Sequence, residues 1–101
     1  MKMRIPEKLK VGGKVYAVVV TDNLAGGRAN RSAEIDYFAQ EIRLTERAAE
    51  GMRVDLLHEM IHAIFDFLGY VDHDEKEVDE LANTMYMVIS DNPTLFCDKG
   101  V

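Results

Sequence analysis

The chain has 101 residues, of which 48 % are hydrophobic and 30 % are charged, and its formal net charge is -6. This length and balance predict a single domain spanning residues 1–101 and exclude a disordered chain. The acidic total argues against binding to nucleic acid or to an anionic membrane surface, because either partner normally selects a basic patch.

The single cysteine, Cys97, excludes an internal disulfide and fits a reducing compartment. It follows Asn92-Pro93 in the C-terminal tail and is interpreted as incidental rather than as a nucleophile. The sequence shows neither the apolar core of a signal peptide nor an apolar run long enough to cross a membrane. We therefore expect a cytoplasmic protein with no membrane partner, and the sequence leaves its oligomeric state open.

The first half of the chain has the composition of β structure. Two strands are predicted from Lys8 to Val11 and from Lys14 to Thr21, because Gly12-Gly13 between them is a two-residue hairpin signal. Asp22 to Ser32 has the composition of a loop. A second β region follows from Ala33 to Leu44.

The second half of the chain is predicted to be helical. Met52 to Leu68 is apolar on nearly every helical face, which indicates a helix that begins after Gly51 and is buried between other elements. Gly69 is a fitting stop for this helix, and a second helix is predicted from about Glu75 to Ser90. The core-facing stripe of the second helix is predicted to contain Val78, Leu81, Ala82, Met85 and Ile89. The order of elements predicts an α+β fold with two helices packed on a small antiparallel sheet of three or four strands.

The residues with the most specific chemistry are His58-Glu59-Met60-Ile61-His62, in the middle of the most apolar predicted helix. Histidines at positions i and i+4 lie one turn apart on the same face, so both imidazoles can reach one metal ion at about 2.0–2.1 Å. Zinc is the expected metal, although other divalent ions accept the same ligands. The alternative is that these side chains lie on an exposed strip or bond to one another. Burying them without partners costs about 2–7 kcal/mol for each polar group, which favours the metal site.

Glu59 follows the first histidine on a neighbouring face of the helix. There its carboxylate is able to contact a metal-bound water instead of the metal. The ion lowers the pKa of that water towards about 7, and Glu59 accepts the proton as general base while the water attacks a carbonyl carbon.

A third protein ligand is needed, and the predicted second helix offers several carboxylates. Glu77 is the preferred residue, because a helical projection places it beside Leu81 at the edge of the predicted buried face. Glu77 is also compatible with a capping box for this helix. Glu80 points away from the core stripe, and Glu75 lies at the helix start, where an acidic residue is favourable without any ligand role. His73 precedes the helix and would give an all-histidine site.

These features together resemble the gluzincin metallopeptidases, in which HExxH is followed by a glutamate in a second helix. The small size and element order are similar to their minimal members, which are phage- and prophage-encoded domains related to the ImmA/IrrE and SprT-like families. The similar stretches cover most of the chain and are KLKVGGKVYAVVVTDNL, AEIDYFAQEIRLT, LLHEMIHAIFDFLG and EVDELANTMYMVISDNP. The extended pattern H-E-x-x-H-x-x-G-x-x-H is absent, since Phe65 and Leu68 stand at its glycine and final histidine positions.

The resemblance implies a zincin-like core with one general base, Glu59, and three zinc ligands, namely His58, His62 and Glu77. It also implies that the strand ending near Leu44 forms the sheet edge beside the cleft, where an extended peptide pairs by β-augmentation. No dedicated specificity subdomain is readable in so short a chain. Three tyrosines are candidates for stabilising an oxyanion by their chemistry alone, namely Tyr37, Tyr70 and Tyr86.

Three functions are open on this reasoning. The leading hypothesis is a zinc metallopeptidase that acts on a peptide or protein substrate. The second is a metal-stabilised binding or regulatory module of phage or prophage origin that cleaves nothing, and the third is a metal-free adaptor with a chance motif. Glu59 favours the enzyme, because a structural site has no need of it. Structural zinc sites also usually have four protein ligands, often cysteines, and this chain has one cysteine.

Overall fold

The computed structural model describes residues 4–22 and 32–96. Its elements, in chain order, are β1 (Lys8–Val11), β2 (Lys14–Thr21), β3 (Ala33–Asp36), β4 (Glu41–Thr45), α1 (Ala49–Leu68) and α2 (Glu75–Asp91). The predicted α+β order, with strands first and two helices after them, is therefore confirmed. Cys97 and residues 23–31 of the predicted loop lie outside the described residues.

The four strands form one mixed sheet in the order β1-β2-β4-β3. The β1–β2 hairpin is antiparallel, as predicted, and Gly12 takes the left-handed conformation that its turn needs, with φ of 62°. β3 pairs antiparallel with β4, but β2 pairs parallel with β4. The expectation of a purely antiparallel sheet is therefore wrong. The physical reason lies in the long segment between β2 and β4, which includes β3. This segment returns the chain to the end of the sheet where β2 began, and a parallel pair requires such a return.

The topology also changes which strand lies at the edge. β4 is an interior strand between β2 and β3, so the strand that ends near Leu44 does not form the sheet edge. The edge beside it is β3, and Tyr37 follows β3 directly. In the described part of the chain β3 pairs with β4 alone.

One face of the sheet packs against α1. Tyr16 of β2 and the alternate residues Ile42 and Leu44 of β4 are buried, and they contact Leu56 and Ala63 of α1. Alternation with period two along β4 presents both apolar side chains to the helix. This packing fixes α1, which carries the histidine motif, on the sheet.

α1 begins at Ala49, three residues before the predicted start at Met52, so Gly51 lies inside its first turn. Arg47 makes two hydrogen bonds of 2.9 Å to the carboxylate of Asp55, and it also donates to the carbonyl oxygen of Gly51. A Cβ at position 51 would meet the Arg47 guanidinium carbon at 2.6 Å. The glycine therefore leaves this space to the Arg47 side chain, although its own helix propensity is low.

α1 ends at Gly69 as predicted, with φ of 91°, and Tyr70 N donates to Phe65 O in the cap. No helix in residues 4–22 and 32–96 is long and apolar enough to cross a membrane.

α2 begins after Asp74, whose side chain accepts hydrogen bonds from Lys76 N and Glu77 N. The helix packs on α1 through Val78 and Ala82, which are fully buried against Leu57 and Ile61. Leu81 is 45 % exposed, so its predicted place in the core stripe is wrong.

Candidate metal centre

The two histidines of the HExxH motif face the start of α2. His58 Nε2 lies 3.1 Å from Glu75 Oε1, and His62 Nε2 lies 3.0 Å from Glu75 Oε2. The two imidazole rings are 5.1 Å apart between centroids. The spacing of one helical turn thus brings both Nε2 atoms to a single carboxylate, as the sequence pattern predicts for two ligands of one ion.

Glu75 reaches the histidines because it is the first residue of α2. The N-cap Asp74 fixes the direction in which α2 leaves the connecting segment, and Val78 and Ala82 anchor the same side of the helix against α1. Residues 75, 78 and 82 share this side, since positions three and four apart lie on one face. The packing of α2 therefore directs the carboxylate of its first turn towards the motif.

The donor atoms of His58, His62 and Glu75 all lie within 4.8 Å of one another. In a tetrahedral zinc site with bonds of about 2.0–2.1 Å, neighbouring donor atoms are about 3.3 Å apart. The distances of 3.0 and 3.1 Å between the Nε2 atoms and the carboxylate oxygens are close to that separation. Two imidazoles and a carboxylate are also a donor set that suits zinc chemically, so the residues fit a divalent cation.

The other predicted ligands lie elsewhere. Glu77 and Glu80 are exposed on α2, and no contact joins either of their carboxylates to the histidines in the part of the chain that the structure describes. His73 contacts the opposite side of the His62 ring, through a distance of 2.8 Å between the two Nδ1 atoms. The role of Glu77 as a ligand stays a prediction. The acidic residue that lies next to both histidines in the structure is Glu75.

Two of the three candidate ligands, His62 and Glu75, have pKa values below their ordinary ones. Burial lowers the pKa of His62, and the attraction of the Glu75 carboxylate opposes this effect without cancelling it. Partial burial acts to raise the pKa of Glu75, but attraction and hydrogen bonding to His62 and His58 outweigh it and bring that pKa below its ordinary value. A deprotonated Glu75 carboxylate beside a neutral His62 imidazole suits metal binding.

Glu59 is buried, with 6 % of its surface exposed, one position after the first histidine. Its charge acts on Tyr37, which approaches from the segment after β3. Burial, reinforced by the carboxylates of Asp66 and Glu59, raises the pKa of Tyr37 to about 12. Tyr37 therefore keeps its phenolic proton at physiological pH and is available as a hydrogen-bond donor.

An open cavity of about 600 Å³ lies beside the centre, and among its lining residues are Tyr37, His62, Asp66, Tyr70, His73 and Glu75. It is bounded by the end of α1, the start of α2 and the turn after β3. Of the three tyrosines considered from the sequence, Tyr37 and Tyr70 line this cavity. Tyr86 lies on α2 and accepts a hydrogen bond of 3.4 Å from Arg53 instead. The sequence did not single out Asp66, because a lone aspartate on an apolar helix carries no motif.

Comparisons of the chain with models of protein families, with curated proteins and with solved structures found no match. The resemblance to the gluzincins therefore stays an expectation from the sequence.

Proposed function

We propose that this protein is a zinc-dependent metallopeptidase, with His58, His62 and Glu75 as metal ligands and Glu59 as general base. The observation that carries the proposal is the convergence of both Nε2 atoms on one carboxylate at 3.0–3.1 Å, beside a buried glutamate. Three protein ligands leave one position of a tetrahedral site open, which is typical of catalytic rather than structural zinc. In the part of the chain that the structure describes, His58, His62 and Glu75 are the one group of three such side chains whose donor atoms lie close enough together to hold an ion.

The chemistry divides between the ion and the side chains around it. A zinc ion bound there would act as a Lewis acid that polarises a substrate carbonyl and acidifies a water molecule. Glu59, which is buried one position after the first histidine, would accept a proton from the attacking water and return it to the leaving amine.

Tyr37 is proposed to donate a hydrogen bond to the oxyanion that develops on the attacked carbonyl. Support comes from its place on the wall of the cavity, opposite the histidine motif, and from its pKa of about 12. Preorganised donors of this kind stabilise the transition state more than the ground state. A phenol that keeps its proton at neutral pH can serve in this way without any change of protonation.

The peptide substrate is proposed to pair with the edge strand β3. This strand is short, its outer edge pairs with no strand of the described chain, and it runs directly into Tyr37. A peptide that adds to β3 by main-chain hydrogen bonds is thereby led into the cavity beside His62 and Glu75. The family resemblance implied this role for the strand that ends near Leu44, but that strand is β4, which lies inside the sheet.

The proposal is tested by comparing wild type with Glu59→Gln, both purified without a histidine tag. Elemental analysis should give the same zinc content for both proteins, because Glu59 is not a ligand. A mixture of quenched fluorescent peptides of random sequence should be cleaved by the wild type and left intact by Glu59→Gln. The matched control is Glu80→Gln, an exposed acid of α2 that should retain both zinc and cleavage. Equal cleavage by wild type and Glu59→Gln would refute the mechanism.

A second candidate function is a metal-stabilised binding module that cleaves nothing. The observation that favours it is the position of the ligands on two different helices, since an ion there would join α1 to α2 in a small domain. It predicts stoichiometric zinc and a large fall in melting temperature with a chelator, but no cleavage in the peptide mixture. The result with wild-type protein therefore separates the two functions.

A further inference from the structure

His62 contacts a second residue on the side away from Glu75. Its Nδ1 lies 2.8 Å from Nδ1 of His73, and the two rings stack with centroids 5.0 Å apart and planes 20° from parallel. The other nitrogen of His73, Nε2, lies 2.9 Å from the backbone carbonyl oxygen of Tyr70. Both nitrogens of His73 are therefore engaged, and neither is directed at Glu75.

These contacts determine where the protons lie. A carbonyl oxygen only accepts, so the proton between His73 and Tyr70 is on Nε2 of His73. A metal ion bound to Nε2 of His62 leaves the proton of that ring on Nδ1. This Nδ1–H donates to Nδ1 of His73, because the proton of His73 is committed to the Tyr70 carbonyl. Nε2 of His62 faces Oε2 of Glu75 at 3.0 Å, on the side away from His73.

We propose that His73 is a positioning residue, which holds His62 in the Nδ1–H tautomer and so leaves Nε2 free to bind the metal ion. The inference rests on the proposed function for the presence of the ion. Partners that accept from the distal nitrogen of a ligand histidine fix its ring and increase its basicity. In this protein the partner is a second imidazole.

The scaffold of this contact is the C-terminal cap of α1. Gly69 in its left-handed conformation and the hydrogen bond from Tyr70 N to Phe65 O place the Tyr70 carbonyl that binds His73. The ring of Phe65 packs edge-on against His73, with centroids 5.3 Å apart and planes at 83°. The C-terminal end of α1 thus fixes His73, and His73 in turn orients His62 of the motif.

The first test uses wild-type protein loaded with zinc at neutral pH. Long-range ¹H–¹⁵N correlation spectra of the imidazoles report which nitrogen is protonated in each histidine. We expect a proton on Nδ1 of His62 and a proton on Nε2 of His73. A proton on Nδ1 of His73, or coordination of zinc through Nδ1 of His62, would overturn the proposal without any need for a variant.

The second test compares His73→Leu with His73→Gln. Gln retains an oxygen that accepts from His62, whereas Leu fills the site without an acceptor. Zinc affinity, measured by competition with a chromophoric chelator, should fall by about 10–100-fold in His73→Leu and should recover in large part in His73→Gln. Unchanged affinity in His73→Leu would overturn the role of His73.

X-ray absorption of the zinc-loaded proteins separates positioning from ligation. The number of coordinated imidazoles should be two in wild type and in both variants, and loss of one imidazole in the variants would instead make His73 a ligand. Wild-type protein that binds no zinc would overturn the proposed function and the metal-binding role together. Wild-type protein that binds zinc, with no loss of affinity in His73→Leu, would overturn this inference alone, so the two failures are distinguishable.

Discussion

The assignment of the third ligand is open to a matched pair of variants, Glu75→Gln and Glu77→Gln. Both residues lie in the first turn of α2, so each substitution removes the same charge from the same end of the helix dipole. Glu75 is 71 % exposed and keeps most of its hydration, so its contacts with the histidines contribute only about 0–1 kcal/mol to the stability of the metal-free protein. The metal-free melting temperatures of the two variants should therefore be similar to each other and close to wild type.

Zinc separates the variants. At a zinc concentration about 1,000 times Kd, binding stabilises the native state by about 4.1 kcal/mol. Removing a residue that only hydrogen-bonds to a ligand weakens metal binding by up to about 100-fold. Loss of one of the three ligands themselves should therefore weaken zinc binding by at least about 100-fold. The stabilisation in Glu75→Gln then falls to about 1.4 kcal/mol. For a domain of this size the difference of about 2.7 kcal/mol corresponds to a loss of roughly 10–20 °C in the zinc-loaded melting temperature.

The assay is thermal unfolding followed by circular dichroism, with zinc and with a chelator. Glu77→Gln should show the full zinc-dependent rise in melting temperature, and Glu75→Gln should show only a fraction of it. The reverse pattern would refute the reasoning from the α1–α2 packing and would restore Glu77 as the ligand. An equal zinc response in wild type and both variants would show that neither carboxylate binds the ion.

Three further variants test the site and the packing beneath it. Tyr37→Phe should keep its zinc but lower kcat by about 10²–10³-fold with little change in KM, measured on any peptide that wild type cleaves. An unchanged kcat would exclude the oxyanion role. Val78→Ala should lower the free energy of unfolding, measured in urea, by about 2 kcal/mol, because Val78 is fully buried between the helices. The control Val88→Ala, on the exposed side of α2, should change it by less than about 0.5 kcal/mol. Asp55→Asn should cost roughly 1–3 kcal/mol by breaking the paired hydrogen bonds to Arg47, and a cost near zero would show that this ion pair does not hold the start of α1.

The local features of the fold were predictable because each depends on a few adjacent residues. The glycine pair at positions 12 and 13 gives the β1–β2 hairpin, and Gly69 ends α1. The parallel pairing of β2 with β4 was not predictable in this way. It depends on where a long connecting segment returns the chain, and no short pattern in the sequence reports that.

Leu81 shows how a single side chain misdirects a helical projection of the buried face. Leu81 is apolar and was assigned to the core, which turned the predicted buried face towards Glu77. In the structure Leu81 is 45 % exposed, and the buried face follows Val78 and Ala82. Since Glu75 lies three positions before Val78 and seven before Ala82, it shares their face. Which apolar residues of α2 contact α1 depends on the packing of the two helices, and the sequence of α2 alone does not report it.

The candidate centre draws on two helices whose contributing side chains differ in exposure. α1 contributes His62 and Glu59 from its buried side, and burial favours the neutral form of that histidine. α2 contributes Glu75, which is 71 % exposed at the positive end of a helix dipole. Because the Glu75 carboxylate keeps most of its hydration, holding its charge beside the histidines costs little free energy before an ion binds.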